Sequence, residues 1–141
     1  MTDTDLRSLK KLLERHEGNR KFPYVDTVGK ITIGVGHNLT DLGLTPTQIS
    51  GILDDDIQNT LAFLDKNCPW FKDLDVVRQK AIADMTFNLM GTLLEFKEMI
   101  AALKVKDWNT AADELLDSTF AHQTGQRAKN LAYMIRTGQD L

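Results

Sequence analysis

The chain has 141 residues, of which 42% are hydrophobic and 26% are charged, and its formal net charge at pH 7 is −3. This balance is typical of an ordinary folded domain and excludes a disordered chain. The acidic net charge gives no support for nucleic-acid binding. No apolar run approaches the roughly 18 residues that are needed to span a bilayer. The single cysteine, Cys68, has no partner for an internal disulfide, which favours synthesis in a reducing cytoplasm.

The first predicted element is an amphipathic helix over residues 3–16. Its apolar face recurs at three- and four-residue spacing, at Leu6, Leu9, Leu12, Leu13 and His16. A threonine or aspartate among residues 2–4 can cap the start, and Gly18 is well placed to end the helix. Glu17 is therefore expected on the last turn, where the chain leaves the helix.

Between Phe22 and Val35 the apolar period changes to the alternation that is typical of strands. The turn Thr27-Val28-Gly29 separates two such runs, which predicts a short β-hairpin with Gly29 at positive φ. Residues 38–44 contain turn residues and have room for one further short strand.

A long helix is predicted from Thr45 to about residue 66. Thr45 acts as N-cap, Pro46 takes the first helical position, and Gln48 completes a capping box. An apolar stripe follows it: Ile49, Ile52, Leu53, Ile57, Leu61 and Leu64. A helix of about five turns suits a connection between two lobes.

The rest of the chain predicts helices separated by turn signals. They run from Asp75 to about Met90, over about 94–105, from Asp107 to Leu116, over 118–122, and from Thr124 to Gly138. Thr124 is predicted to cap the last of them. The expected architecture is a single α+β domain with a β-containing lobe over about 14–65 and a helical lobe built from 1–13 and 66–141. A cleft between the lobes is the natural ligand site.

Two carboxylates lie nine positions apart in and beside the segment that is not helical. Glycosidic bonds are commonly cut by one protonated and one ionised carboxyl group. Glu17, at a helix end, is expected to be partly desolvated and to stay protonated. Asp26, on a polar hairpin rim, is expected to stay ionised. The hydroxyl of Thr32, across the turn, can help Asp26 to hold a water molecule, and glycines 34 and 36 allow a sugar ring to approach the backbone.

Each of these residues also has a purely structural interpretation. A glutamate at a helix end is most often solvated, and an aspartate before a turn usually serves the turn. His37 is better explained as a hydrogen-bonded structural residue than as a catalyst. The three histidines lack ligand spacing and Cys68 has no nearby histidine, so neither a metal, a cofactor nor thiol chemistry is indicated.

The motifs recur in one order along nearly the whole chain. They are Glu17-Gly18, Tyr24-x-Asp26-x-x-Gly29, Thr32-Ile33-Gly34-x-Gly36-His37, Arg78 with Ala81, Phe87-Asn88 ahead of Gly91, Trp108 with Ala111-Ala112, Gln123-Thr124, Arg127-Ala128-Lys129 and Arg136-Thr137-Gly138. This pattern resembles the phage-type lysozymes, the endolysin family typified by the lysozyme of T-even bacteriophage. The resemblance implies a lysozyme-like fold, and hydrolysis, with inversion, of the β-1,4 bond between N-acetylmuramic acid and N-acetylglucosamine in peptidoglycan.

By the same resemblance Glu17 is the general acid, Asp26 positions or activates the attacking water, and Thr32 completes the triad. The resemblance also implies a set of substrate-binding or supporting residues: Gly36, His37, Asp84, Asn88, Phe120, Gln123 and Arg127. Arg127 matches an arginine that in this family reaches the general acid from the helical lobe. Asp84 takes the position at which the lysozyme of T-even bacteriophage has an asparagine.

Peptidoglycan is then the expected partner of a monomer that binds no nucleic acid and makes no stable membrane insertion. Residues 1–5 lack the hydrophobic core of a signal peptide. We therefore expect storage in the host bacterial cytoplasm. The resemblance implies holin-dependent release to the periplasm and wall, and lysis of the cell. Two alternatives remain open: a lytic transglycosylase, which needs only the acid, and a non-catalytic wall-binding or tail module of the same fold.

Overall fold

One helix, three short strands and seven further helices follow one another in the computed structural model, which describes residues 1–141. The elements are α1 Asp3–Glu17, β1 Arg20–Val25, β2 Ile31–Gly34, β3 His37–Asn38, α2 Leu39–Leu42, α3 Pro46–Asn67, α4 Val76–Leu89, α5 Lys97–Lys104, α6 Trp108–Leu116, α7 Thr119–Thr124 and α8 Gln126–Thr137. Two 3₁₀ segments, Pro69–Asp73 and Met90–Glu95, flank α4. The α+β fold is thereby confirmed.

The chain divides into two compact units, Met1–Gly51 and Ile52–Leu141. Helix α3 begins in the first unit and continues into the second. The assignment of residues 1–13 to a helical lobe stays a prediction.

Helix α1 begins with a reciprocal capping box. The Thr2 hydroxyl accepts a hydrogen bond from the Asp5 N–H at 3.2 Å, and the Asp5 carboxylate accepts one from the Thr2 N–H at 2.7 Å. This bond lowers the pKa of Asp5. Gly18, at φ 81°, ends the helix and donates its N–H to the Glu14 carbonyl. No residue of α1 is buried, so its apolar stripe is exposed.

The strands form one antiparallel sheet in the order β1-β2-β3. In its register Tyr24 lies opposite Thr32, and Thr32 lies opposite Asn38. Gly29 has φ 82°, as the turn prediction requires. The prediction of a further strand within residues 38–44 is wrong except at Asn38, which ends β3. Leu39–Leu42 form the single helical turn α2, and Asn38 caps it by accepting the Asp41 N–H at 3.0 Å.

The predicted start of α3 is confirmed in detail. The Thr45 hydroxyl accepts the Gln48 N–H at 3.2 Å, while the Gln48 side chain accepts the Thr45 N–H at 2.8 Å. Along the apolar stripe of this helix only Leu64 is buried. The other members of the stripe stay exposed.

The hydrophobic core lies entirely in the second unit. Its nineteen buried apolar side chains fall between Leu64 and Ile135. Helix α8 packs against α4, α6 and α7, and α5 packs against α6. Asp75 and Asp107 cap α4 and α6 as predicted, and hydrogen bonds from Thr110 lower the pKa of Asp107.

Arg78 holds the end of α8 against α4. Its Nε donates to the Ile135 carbonyl at 2.7 Å, and its guanidinium carbon lies 4.0 Å from the centre of the Trp108 ring. A Cβ at Gly138 would stand 2.7 Å from Arg78 Nη1. Glycine at this C-cap, with φ 69°, therefore meets both the backbone and the packing requirement.

Two boundary predictions in this unit are wrong. Thr124 ends α7 instead of capping α8, because its hydroxyl donates to the Phe120 carbonyl at 2.8 Å and Gly125 turns the chain at φ 55°. The helix expected over 94–105 is divided, since residues up to Glu95 form a 3₁₀ segment and α5 begins at Lys97.

Cys68 follows the last turn of α3 and is 1% exposed. Its burial raises the pKa of the thiol above the ordinary value. None of the helices combines the length and the apolar character that crossing a membrane requires.

Candidate active site

Glu17 lies at the end of α1, with its side chain against the turn between β2 and β3. A Cβ built at Gly36 would be 2.9 Å from Glu17 Oε2, so the carboxyl group occupies the space that any other residue at 36 would fill. Gly36 also has φ 64°, which favours glycine. Glu17 itself is exposed, and its partial desolvation stays a prediction.

Asp26 organises the hairpin turn through one carboxylate oxygen. Its Oδ1 accepts the Val28 N–H at 3.0 Å and the Lys30 N–H at 2.8 Å. The Asp26 N–H in turn donates to the Lys30 carbonyl at 2.9 Å. The turn interpretation of this residue therefore holds for Oδ1, while Oδ2 takes no part in these bonds. An aspartate fixed through one oxygen can present the other to a water molecule.

Thr32 is 4% exposed and occupies the central strand. Its hydroxyl donates to the Lys30 carbonyl at 3.2 Å. Because Thr32 lies opposite Tyr24 and Asp26 follows Tyr24 by two residues, Thr32 and Asp26 are diagonal neighbours on one face of the hairpin. Both residues thus contact Lys30, one through a carboxylate and one through a hydroxyl.

Lys30 is a residue of this site that the sequence motifs did not single out. Its N–H binds Asp26 and its carbonyl binds Thr32, while its ammonium group pairs with Asp41 Oδ1 at 3.0 Å. The available signal was the spacing from an aspartate to the residue after a turn glycine, which places a backbone N–H within reach of the carboxylate.

His37 serves the backbone. Its Nε2 lies 2.7 Å from the Gly43 carbonyl. Since a carbonyl oxygen only accepts hydrogen bonds, the Nε2–H group of His37 is the donor in this contact. The bond ties β3, which follows Gly36, to the end of α2, and it agrees with the structural interpretation of this histidine.

Asp84 and Arg127 meet in the second unit. Arg127 Nε donates to Asp84 Oδ1 at 2.7 Å, and Arg127 Nη2 donates to the Asp84 main-chain carbonyl at 2.9 Å. Both residues line a cavity of about 410 Å³. The other lining residues are Leu53, Ile57, Thr60, Leu61, Lys80, Ala83 and Phe87.

Phe120 and Gln123 line a second cavity, of about 540 Å³, at the junction of α5, α6 and α7. Phe120 is also part of the buried core, whereas Gln123 is exposed. Asn88 is exposed on α4 and lines neither cavity. The expected supporting residues of the helical unit therefore fall into separate groups.

Two carboxyl groups in different settings thus lie within residues 1–51. Glu17 ends a helix against a glycine, and Asp26 is anchored through one oxygen. Carboxyl groups in unlike environments are the catalytic groups of most glycoside hydrolases. No group of three or more histidine, cysteine, aspartate and glutamate side chains is arranged to hold a metal ion. An α+β fold with two such carboxyl groups in one compact unit contains the groups that a glycoside hydrolase of the lysozyme type would use.

Comparison with known proteins assigns the family. Residues 14–134 match the phage lysozyme family, and the chain belongs to that family. The probable T4-type lysozymes 1 and 2 of Dictyostelium discoideum are each 27% identical to it, over 93% of this chain and 95% of theirs. The pre-baseplate central spike protein Gp5 of enterobacteria phage T4 is also 27% identical, over 96% of this chain and 29% of its own length.

Proposed function

We propose that the chain is an endolysin muramidase, which hydrolyses the β-1,4 bond between N-acetylmuramic acid and N-acetylglucosamine in bacterial peptidoglycan. One observation carries this proposal: in a member of the phage lysozyme family, Glu17 lies against Gly36 while Asp26 is fixed on the rim of the same small sheet. The match to two proteins described as probable T4-type lysozymes supports the same substrate class.

In the proposed mechanism Glu17 acts as the general acid. Its protonated carboxyl gives a proton to the glycosidic oxygen as the bond from that oxygen to the anomeric carbon breaks. The electron pair of the bond stays with the leaving oxygen, and positive charge develops on the anomeric carbon. Gly36 keeps the approach to the carboxyl free of a side chain.

Asp26 acts as the base on the attacking water. Its Oδ1 is held by two backbone N–H groups, so Oδ2 accepts a proton from water as the water oxygen bonds to the anomeric carbon. Attack from the face opposite to the leaving group inverts the configuration. The Thr32 hydroxyl donates a hydrogen bond to the Lys30 carbonyl, which leaves its oxygen to accept a hydrogen bond from the same water.

The supporting residues divide into two roles in this proposal. Gly36 and His37 maintain the turn against which the Glu17 side chain lies. The residues of the second unit would bind the substrate or support the residues that bind it: Asp84, Asn88, Phe120, Gln123 and Arg127. An apolar cavity wall beside hydrogen-bonding side chains suits the acetamido and peptide groups of peptidoglycan.

We further propose that the protein acts as a monomer in host lysis. It would be stored in the host bacterial cytoplasm and reach the periplasm and wall through a holin-dependent lesion, with no stable insertion of its own into the membrane.

Product analysis of digested peptidoglycan tests the function. A muramidase releases reducing ends, and anomer-resolved NMR of the first products shows α-anomers if the configuration is inverted. Anhydro-sugar products would instead indicate a lytic transglycosylase. A wild-type chain that binds peptidoglycan without releasing any product would indicate a non-catalytic wall-binding module. The variant Glu17→Gln, purified in the same way, controls for contaminating hydrolases.

A further inference from the structure

The contact between Asp84 and Arg127 holds the guanidinium at two points. The Asp84 carboxylate takes the Nε hydrogen and its main-chain carbonyl takes an Nη2 hydrogen, at 2.7 and 2.9 Å. The two acceptors belong to one residue of α4, and Arg127 lies in the first turn of α8. The packing of α4 against α8 brings the two residues together, and the two hydrogen bonds orient the guanidinium plane. The Nη1 group takes no part in either bond.

The charges around the cavity of about 410 Å³ are balanced in pairs. Its lining contains two cations and one anion, Lys80, Arg127 and Asp84. Lys80 pairs with Asp140, and Arg127 pairs with Asp84. The remaining lining residues are uncharged and mainly apolar. A ligand in this cavity therefore meets guanidinium donors whose charge is already neutralised.

We propose that Asp84 is a positioning residue that fixes the Arg127 guanidinium and cancels its charge. Arg127 then offers its Nη1 donors to a neutral oxygen of the substrate, such as an acetamido carbonyl or a sugar hydroxyl, and does not attract the anionic wall as a free cation. This inference rests on the proposed muramidase function for its substrate.

Two substitutions at position 84 separate the orientation of the Arg127 guanidinium from the cancellation of its charge. Asp84→Asn keeps an oxygen that accepts the Nε hydrogen but removes the negative charge. Asp84→Ala removes both. Arg127→Lys keeps a cation at position 127 but loses the planar fork. The pair is partly exposed, with 37% of the Arg127 side chain and 46% of the Asp84 side chain accessible, so all three variants are expected to fold.

Kinetics on peptidoglycan at two salt concentrations measure the charge effect. At low salt we expect Asp84→Asn to lower KM about threefold with kcat unchanged, because an uncovered cation attracts the anionic polymer on the scale of one surface charge. At about 0.5 M NaCl, where the screening length is roughly 4 Å, the KM values should converge. Asp84→Ala should show the same salt response, with kcat reduced about tenfold because the guanidinium keeps only its bond to the main-chain carbonyl of residue 84 and is oriented less tightly. Arg127→Lys should likewise lower kcat.

A KM of Asp84→Asn that equals the wild-type KM at both salt concentrations would overturn the cancellation of charge. A kcat of Asp84→Ala that equals the wild-type kcat would overturn the positioning role.

Hydrogen exchange of the Arg127 Nε–H, followed by NMR at mildly acidic pH, provides a readout that needs no activity. We expect slow exchange in the wild-type protein and in Asp84→Asn, and clearly faster exchange in Asp84→Ala, which loses the acceptor of the Nε hydrogen. Fast exchange in the wild-type protein would overturn the inference. If the wild-type protein releases no product from peptidoglycan, the proposed function fails, while the exchange measurement still decides whether Asp84 positions Arg127.

Discussion

Residues 1–51 and residues 52–141 are stabilised by different interactions. In the second unit nineteen apolar side chains are buried, whereas in the first Thr32 is the only buried residue. The first unit relies on directed hydrogen bonds, such as the capping box of Thr2 and the two N–H groups on Asp26 Oδ1. The carboxyl groups proposed for catalysis belong to this unit.

This difference indicates how the chain separates stability from chemistry. The carboxyl groups proposed for catalysis lie where few apolar contacts are made, which would let them reach a solvated polymer. Packing free energy is concentrated elsewhere, in helices that carry no proposed catalytic group. Substitutions in the two units should therefore have opposite signatures in activity and in stability.

The largest effect is expected from the carboxyl groups of the first unit. Glu17→Gln and Asp26→Asn should each lower the rate of lysis of permeabilised cells by about 10³-fold, since each removes one proton transfer. Their melting temperatures should match that of the wild-type protein, because Glu17 is exposed and asparagine retains an acceptor for the turn. Glu14→Gln, an exposed change on the same helix, serves as the control. Wild-type turnover in either variant would remove that residue from the mechanism.

The next largest effect is expected from a core substitution in the second unit, and it should appear in the free energy of unfolding. Leu115 is fully buried, so Leu115→Ala should lower the free energy of unfolding by about 3 kcal/mol, through lost transfer free energy and the cavity left behind. Leu12→Ala removes the same atoms from α1, where the residue is 46% exposed, and should change the free energy of unfolding by less than about 0.5 kcal/mol. Urea unfolding measures both. Equal losses would show that α1 is packed as tightly as the core.

Gly36→Ala tests the contact between the Glu17 carboxyl and the turn at Gly36. An alanine there would have its Cβ 2.9 Å from the Glu17 carboxyl and would adopt φ 64°, which costs about 1–2 kcal/mol for a residue other than glycine. We expect kcat to fall at least about tenfold, because the acid is displaced. Gly51→Ala, in open space within α3, should keep full activity. Unchanged kcat in Gly36→Ala would separate Glu17 from this turn.

The smallest effect concerns pH and the helical unit. Burial acts to raise the pKa of Asp75, but the hydrogen bonds and positive charge of Arg78 outweigh it and hold that pKa below the ordinary value. A carboxyl whose pKa is lowered by folding contributes stability above its unfolded pKa of about 3.9, and this stability is lost as the pH falls through the folded value.

Asp75→Asn keeps the helix cap and removes the charge. Because the carboxylate is 43% exposed, the variant should be less stable at pH 7 by no more than about 1 kcal/mol. Thermal unfolding from pH 7 to pH 2 should show this difference shrinking below about pH 4. A difference that persists unchanged at pH 2 would assign the effect to the shape of the side chain.

Local signals explain which parts of the fold were predictable. Thr45, Pro46 and Gln48 specify a helix start through contacts within four residues, and Gly29 specifies a turn through its own backbone. The prediction that Thr124 caps α8 failed because a threonine beside a glycine has two options. Its hydroxyl can cap the following helix or bond to the preceding turn, and the neighbouring sequence does not decide between these two contacts.

The candidate site shows the same limit. The motifs pointed to Glu17 and Asp26. They could not predict that the backbone N–H of Lys30 binds one oxygen of Asp26, because this contact depends on the register of the hairpin. The bond between Asp84 and Arg127 joins residues 43 positions apart, and it required the packing of α4 on α8.

The buried Cys68 gives the helical unit an intrinsic reporter of its own opening. A thiol that is 1% exposed, with its pKa raised by burial, reacts with a disulfide reagent only when the surrounding helices separate. The labelling rate then follows the population of the opened state when closing is faster than the reaction. Since no other cysteine competes, mass spectrometry of the whole chain would resolve the opening of residues 52–141 without any engineered label.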